Sequence, residues 1–169
     1  MRHFFVFFLL SLIPSVVPAQ HPGIQSGEIT FTFVKKDVSG TVSDFTSTSV
    51  IDWDNMENSV IAGQVASETI KTGNFIRDFA LRRSAYFDVD NYPVISFTST
   101  KIQLNGERMS VEGNLTLKGI SKPLTIVFKN DSDTLIGTAT LFTSDFDITI
   151  LKKSREANEV IITFTLQLD

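Results

Sequence analysis

The segment 109–118, MSVEGNLTLK, alternates apolar and polar residues without a break. Successive side chains of a β-strand point to opposite faces, so a two-residue period predicts a strand with one buried and one solvated face. The positions that would share the buried face are Met109, Val111, Gly113, Leu115 and Leu117. This segment therefore indicates a sheet protein in which each strand covers a core with one side only.

The same period recurs on both sides of this strand. It is found at 29–33, at 124–128 and at 160–168, and Asn105-Gly106 is a strong two-residue hairpin signal between two such runs. Connections of hairpin length exclude a parallel sheet, because parallel strands need long crossovers. Eight or nine strands with one apolar face are typical of a closed antiparallel barrel or a two-sheet sandwich. The sequence therefore predicts an all-β domain.

The alternation stops between Thr69 and Arg83, where apolar residues recur at three- and four-residue spacing. This period predicts one short amphipathic helix, at about 73–83, between two strands. Its apolar stripe, which we expect to cover the interior and to plug or gate one mouth of a barrel, comprises Phe75, Ile76 and Phe79. Its polar side, which we expect to face water, comprises Arg77, Asp78 and Arg82.

The first 19 residues read as an export signal. Arg2 precedes an apolar run at 4–13, and the small residues around Ala19 offer a cleavage site before Gln20. The alternative is a membrane anchor, but this run is too short to span a bilayer as a helix. We expect a signal peptide at 1–19, a single domain at 20–169 and no stable membrane insertion.

Composition limits the classes of binding partner and the cellular compartment that we expect for this protein. The chain has a formal net charge of −4 and no cysteine. An acidic surface argues against nucleic acid or anionic lipid headgroups as the main partner. A cysteine-free exported chain cannot use disulfides and is more usual in a bacterial periplasm, so we expect secretion across the inner membrane into the periplasm.

Catalytic and metal-binding residue types are scarce. The predicted exported chain has one histidine, His21, beside the presumed cleavage point, whereas nucleophilic triads and zinc sites depend on imidazole or thiolate groups. Four aspartate pairs have the spacing of one strand face and could form a calcium site or an acid/base pair: Asp52/Asp54, Asp88/Asp90, Asp131/Asp133 and Asp145/Asp147. None is followed by the glycine and glutamate of a calcium loop, so we interpret them as turn residues. We predict no catalytic residue, no metal and no cofactor.

Several motifs occur in a fixed order after the second strand region. They are SETIKTG at 67–73, RD at 77–78, LRRS at 81–84, YFDV at 86–89, YPVISF at 92–97 and GNLTLKGISKP at 113–123. This ordered set resembles the YceI-like family of periplasmic polyisoprenoid-binding proteins, over about residues 27–169. The chain departs from that family pattern in lacking its opening histidine segment, and in reading TSDFDI at 143–148 where the family has R-x-D-F-G-I.

The resemblance implies an extended, eight-stranded, lipocalin-like antiparallel β-barrel that holds a long isoprenoid or other apolar lipid chain in its lumen. Binding would draw on apolar burial, about 0.8 kcal/mol per buried CH₂, and would depend little on the headgroup. The ligand-binding residues that we predict are Ile29, Phe31, Phe33, Phe79, Phe97, Val111, Leu115, Leu117, Ile126, Phe128, Ile162, Phe164 and Leu166.

Two other functions stay open at this point. The first is a stress-related or interaction module whose barrel is filled by its own side chains and has no lipid ligand. The second is an enzyme that acts on a lipid, which the scarcity of histidine disfavours. The sequence leaves open whether the protein forms a homodimer, and it indicates no nucleic-acid partner.

Overall fold

The computed structural model describes residues 23–169, and the predicted signal peptide at 1–19 lies outside these residues. The strands are β1 (Ile24–Phe33), β2 (Val38–Val42), β3 (Thr46–Ser47), β4 (Ala62–Ala66), β5 (Val94–Asn105), β6 (Arg108–Leu117), β7 (Ile120–Asp131), β8 (Thr134–Phe142) and β9 (Glu159–Leu168). The helix α1 (Phe75–Leu81) lies between β4 and β5, within the predicted range. No helix in residues 23–169 is long and apolar enough to cross a membrane.

All nine strands belong to one antiparallel sheet in the order β2-β1-β9-β8-β7-β6-β5-β4-β3. A single curled sheet confirms the all-β, lipocalin-like prediction and excludes a two-sheet sandwich. Strand β6 shows how one face of the sheet covers the core. Its residues 109, 111, 113, 115 and 117 are buried and the residues between them are more exposed, as the two-residue period predicts.

Residues 23–169 form nine strands instead of the predicted eight, because one extended segment is divided into two strands. Residues 38–47 run in one direction, but Asp44 adopts a left-handed φ of 58° and separates β2 from β3. The first part pairs with β1, where Phe33 lies opposite Val38, and the second part pairs with β4, where Thr46 lies opposite Gln64. The two edge strands of the curled sheet, β2 and β3, therefore belong to one continuous segment of the chain.

Hydrogen bonds join the interrupted segment to the chain that follows β4, and we call this contact the seam. Thr41 and Lys71 exchange backbone hydrogen bonds of 2.9 and 3.0 Å. The Thr69 hydroxyl accepts a hydrogen bond of 2.8 Å from the Ser43 amide. A side chain at Gly40 would overlap the Lys71 carbonyl oxygen, so only glycine allows this close approach. The seam thus depends on a few specific contacts.

The orientation of α1 differs from the prediction. Asn74 caps the helix, with its Oδ1 accepting a 3.0 Å hydrogen bond from the Arg77 amide. The predicted apolar stripe of Phe75, Ile76 and Phe79 is exposed to solvent. The prediction that it covers the interior was wrong because polar contacts with Thr72 hold the opposite face of the helix against the barrel.

Those polar contacts involve two residues that were expected to face water. The Arg77 guanidinium donates hydrogen bonds of 2.6 Å to Thr72 Oγ1 and 2.9 Å to the Thr72 carbonyl oxygen. Asp78 Oδ1 accepts a 2.8 Å hydrogen bond from the Thr72 amide and another from the Thr72 hydroxyl. Arg77 and Asp78 therefore anchor the helix, and the apolar stripe turns outward.

Candidate functional site

The concave face of the sheet and the inward face of α1 enclose a cavity of about 480 Å³. Its wall takes side chains from the inner faces of β1, β2, β4 to β9 and from Ala80 and Leu81 of the helix. The strands contribute mainly the halves that lie towards α1. At the other end of the interior, Ile24, Ser49 and Ile61 also line the cavity, and side chains such as Met109 and Leu135 are fully buried. The cavity therefore extends from below the helix towards the opposite end of the barrel.

Most of the predicted ligand-binding residues lie in the wall of this cavity. They are Ile29, Phe31, Phe33, Phe97, Leu115, Leu117, Ile126, Phe128, Ile162, Phe164 and Leu166. Because the inner face of each regular strand follows from its two-residue period, the sequence pattern located them. Whether they contact a ligand stays a prediction.

Two predicted residues lie outside the wall. Val111 is completely buried in the core, directly opposite the wall residue Ile126 on the neighbouring strand. Phe79 points outward, and its ring lies under the guanidinium of Arg83, 4.8 Å from ring centroid to Cζ. The sequence pattern gives the inner face of Val111 correctly, but it does not show that neighbouring side chains cover this residue completely. The polar anchoring of α1 explains Phe79.

The wall also contains apolar residues that we did not predict. Leu141 and Val160 belong to regular strands, and their alternation could have identified them. Further wall residues lie in β1, β2, β4 and β5, namely Ile24, Val38, Val42, Ala62, Val65 and Ile95. A last group lies outside strands, where no two-residue period signals the inward face, and it includes Phe45, Ile70, Leu81, Tyr86, Phe87 and Ile150. This last group comes from the segment between β2 and β3, from α1 and the chain around it, and from the β8–β9 connection.

Glycines and aromatic rings set the shape of the wall. A side chain at Gly113 would overlap the ring of Phe97 on the neighbouring strand, and one at Gly137 would overlap the ring of Phe128. The rings of Phe128 and Phe164 pack at 6.0 Å between centroids in a tilted arrangement. Both glycines thus make room for aromatic side chains on the inner face of the sheet.

A few polar groups interrupt the apolar wall. Lys36, Thr72 and Arg77 lie among the wall residues on the helix side, and Thr143 lies near the end of β8. Hydrogen bonds from Thr72 lower the pKa of Asp78, and the charges of Arg77 and Arg82 act in the same direction. The Thr143 hydroxyl is buried, and no hydrogen-bond partner for it lies within residues 23–169. Arg77 and Asp78, beside the cavity, thus stabilise the helix.

One member of the aspartate pairs supports a turn, as we interpreted it, and another holds an arginine. Asp52 Oδ1 accepts hydrogen bonds of 3.1 and 2.9 Å from the amides of Asp54 and Asn55. Asp145 binds Arg155 at 2.6 Å, and this hydrogen bond lowers the pKa of Asp145. Within residues 23–169, no group of three histidine, cysteine or acidic side chains lies close enough to hold a metal ion.

The chain is similar to known proteins in sequence and in fold. Protein YceI of Salmonella arizonae is 32% identical over 90 residues, which cover 53% of this chain and 47% of the relative. The match thus spans about half the length of that curated relative. The crystal structure of BcnA from Burkholderia cenocepacia superimposes with a TM-score of 0.74 at 20% identity, over 85% of this chain and 96% of that one.

A further structure extends the similarity in fold. A domain from Saccharophagus degradans, described as a polyisoprenoid binding domain, superimposes with a TM-score of 0.61 at 11% identity, over 89% of this chain and 99% of that one. At this identity the likeness concerns the fold. The family model described as the YceI-like domain matches residues 22–168. Because that match covers nearly the whole sequence, the chain belongs to the YceI-like family.

Proposed function

We propose that this protein is an exported, non-enzymatic binding protein that holds a long isoprenoid or similar lipid chain in the cavity below α1. The observation that carries the proposal is an apolar cavity of about 480 Å³ inside the sheet. Pockets for small molecules are commonly about 300–1,000 Å³ and mainly apolar, so the size and lining suit an apolar ligand. The family and the polyisoprenoid-binding neighbour of similar fold support the same class of ligand.

The dimensions of the barrel constrain how such a ligand would lie. Ten strand residues at about 3.3 Å each, tilted by about 40°, give a barrel on the order of 25 Å tall. A long polyprenyl chain must therefore bend inside the cavity or protrude from it. Most wall residues lie in the half of the barrel towards α1, so we expect the protruding part of the chain to leave on that side.

The chemistry of the wall favours binding over catalysis. Residues 23–169 contain no histidine and no cysteine, so the usual imidazole-dependent nucleophilic mechanisms lack their base. Arg77 is engaged with Thr72. The cavity also favours a ligand carrier over the alternative, a stress-related or interaction module with a filled barrel. Location in the periplasm remains part of the proposal and depends on the signal peptide at 1–19.

A pair of neighbouring residues in β9 allows a matched test. Ile162 lines the cavity, whereas Ile161 is exposed on the outer face. We expect native mass spectrometry of residues 20–169 to detect uptake of a polyprenyl alcohol. Ile162→Trp should fill the cavity and reduce uptake by at least about tenfold, because less apolar ligand surface can be buried. Ile161→Trp should leave uptake unchanged.

Circular dichroism would show that both tryptophan variants are folded. The proposal fails if the unmodified protein takes up no long apolar molecule under any delivery condition. It also fails if the two variants take up the polyprenyl alcohol equally well, because the ligand would then bind somewhere other than the cavity.

A further inference from the structure

The outward face of α1 is apolar although it is exposed to solvent. Phe75 is 83% exposed, Ile76 is 78% exposed and Phe79 is 52% exposed, and every other exposed large hydrophobic residue in 23–169 is less exposed than these three. Scattered exposed apolar residues are ordinary, but three on one short helix form a continuous surface. We call this surface, Phe75, Ile76 and Phe79, the helix patch.

Strand direction places the helix patch at one end of the barrel. The connections 34–37, 67–93, 118–119 and 143–158 all lie at this end, which we call the helix end, because antiparallel neighbours turn alternately at opposite ends. Other exposed apolar residues at this end are Val34, Tyr92 and Val94. The opposite, or hairpin, end contains 48–61, 105–108, 131–134 and the terminal residue 169.

Charge is distributed unevenly between the two ends. The hairpin-end connections carry seven carboxylates and one cation, Arg108. The helix-end connections carry ten cations and eight carboxylates. The net charge of −4 therefore conceals a dipole whose positive side is the helix end. Such a dipole orients the helix end towards an anionic surface, although the whole chain is acidic.

Two exposed cations flank the helix patch along the chain. Lys71 precedes α1 and is exposed, and Arg83 follows it, is exposed and lies over the Phe79 ring. The carboxylate of Asp78, within the same helix, is held by Thr72. Apolar residues that enter the headgroup region beside cations that meet phosphate groups are the usual features of interfacial membrane binding.

The other side of the same helix connects this patch to the cavity. Ala80 and Leu81 line the cavity wall, so the helix separates the apolar interior from the helix patch by its own width. We propose that the helix end docks reversibly on an anionic lipid bilayer, with Phe75, Ile76 and Phe79 in the headgroup region and Lys71 and Arg83 on lipid phosphates. Docking would allow a lipid to be loaded or released across α1, and this purpose rests on the proposed function.

Vesicle binding tests the docking surface directly. Residues 20–169 are used because they contain the complete sheet and helix, and because the apolar run at 4–13 would itself bind lipid. The protein is sedimented with vesicles of phosphatidylcholine, with and without phosphatidylglycerol. We expect binding to vesicles that contain phosphatidylglycerol, and weaker binding as salt is added.

Substitutions at exposed positions separate the apolar and the charged parts of the surface. Phe75→Gln combined with Ile76→Gln should weaken binding by at least about tenfold, since the buried apolar area drives interfacial binding. Lys71→Gln combined with Arg83→Gln should weaken binding to anionic vesicles by roughly tenfold or more, and should not weaken binding to neutral vesicles. The control is Leu104→Gln, which removes an exposed apolar residue at the hairpin end and should leave binding unchanged.

The outcomes distinguish the proposal from its competitors. Equal vesicle binding by all variants would overturn it, as would no binding by the unmodified protein. Analytical ultracentrifugation tests whether a second copy of the protein covers the helix patch instead. If the protein is a dimer that does not bind vesicles, and if the glutamine substitutions at Phe75 and Ile76 dissociate this dimer, the helix patch is a dimer interface and the proposal is overturned. Vesicle binding without uptake of polyprenyl alcohol would support docking while the proposed function fails.

Discussion

The regular wall of the barrel, formed by β1 and β5 to β9, contrasts with the irregular part at 38–93, which contains the seam and α1. In the wall, strands of nine to twelve residues pair over most of their length and their inner faces form the core. In the irregular part, strands of two to five residues are joined by contacts of individual side chains with the backbone. The wall is therefore held mainly by burial, whereas the irregular part combines a few buried residues, such as Ile51 and Ile70, with specific polar contacts.

The largest expected difference between the two regions concerns aromatic residues. Phe128 in the wall is 1% exposed and packs on Phe164, so Phe128→Ala should reduce the free energy of unfolding by about 3–5 kcal/mol. Phe79 on the helix keeps about half of its surface in contact with water, and Phe79→Ala should cost less than about 1 kcal/mol. Urea denaturation measures both. Similar losses for the two variants would show that the helix carries as much stability as the wall.

The same contrast separates what the sequence predicted from what it did not. The faces of β6, β7 and β9 follow from a two-residue period, and most predicted cavity residues lie there because that period is strict. Phe45 and Ile70 reach the cavity from irregular chain, where the direction of a side chain depends on tertiary contacts. The interruption at Asp44 likewise arises from a single backbone conformation that the alternation does not encode.

Polar anchors were the least predictable features. Asn158 is almost completely buried, and its Oδ1 accepts hydrogen bonds of 3.0 and 2.9 Å from the amides of Ile150 and Leu151. An asparagine in a polar stretch gives no sign of such a role. The orientation of α1 was predicted wrongly for the same reason. The anchoring of Arg77 and Asp78 by Thr72 outweighs the preference of an apolar stripe for the interior.

The seam offers a test of intermediate size. Thr69 Oγ1 accepts from the Ser43 amide at 2.8 Å and lies 2.7 Å from the Ala66 carbonyl oxygen, to which it donates. Thr69→Val removes both contacts at nearly constant volume and should reduce the free energy of unfolding by about 1–2 kcal/mol. Amide exchange at Ser43 should become faster in the variant.

The matched control for the seam is on the wall. Thr138 of β8 is exposed on the outer face of the sheet, and Thr138→Val should change the free energy of unfolding by no more than about 0.5 kcal/mol. If Thr69→Val is as well tolerated as this control, with unchanged exchange at Ser43, the seam hydrogen bonds contribute nothing measurable to closure.

The smallest expected effect is a pH dependence that belongs to the helix anchor. Hydrogen bonds from Thr72 lower the pKa of Asp78 in the folded protein, with help from the charges of Arg77 and Arg82. A carboxyl group whose pKa is lower in the folded than in the unfolded state stabilises the fold above its unfolded pKa, near 4, and loses that contribution as the pH falls through the folded value. Asp78→Asn should therefore be less stable than the unmodified protein at neutral pH, and the difference in the free energy of unfolding should shrink below about pH 4.

Asn74→Ala is the control for this pH dependence, because it removes the cap of the same helix without removing a carboxylate. It should cost about 1 kcal/mol at every pH, since a neutral amide cap does not titrate. Urea denaturation from pH 7 down to pH 3 compares the two variants. A deficit of Asp78→Asn that stays as constant with pH as that of Asn74→Ala would contradict the prediction, because the Asp78 anchor would then act through shape and not through the charge that Thr72 and the two arginines stabilise.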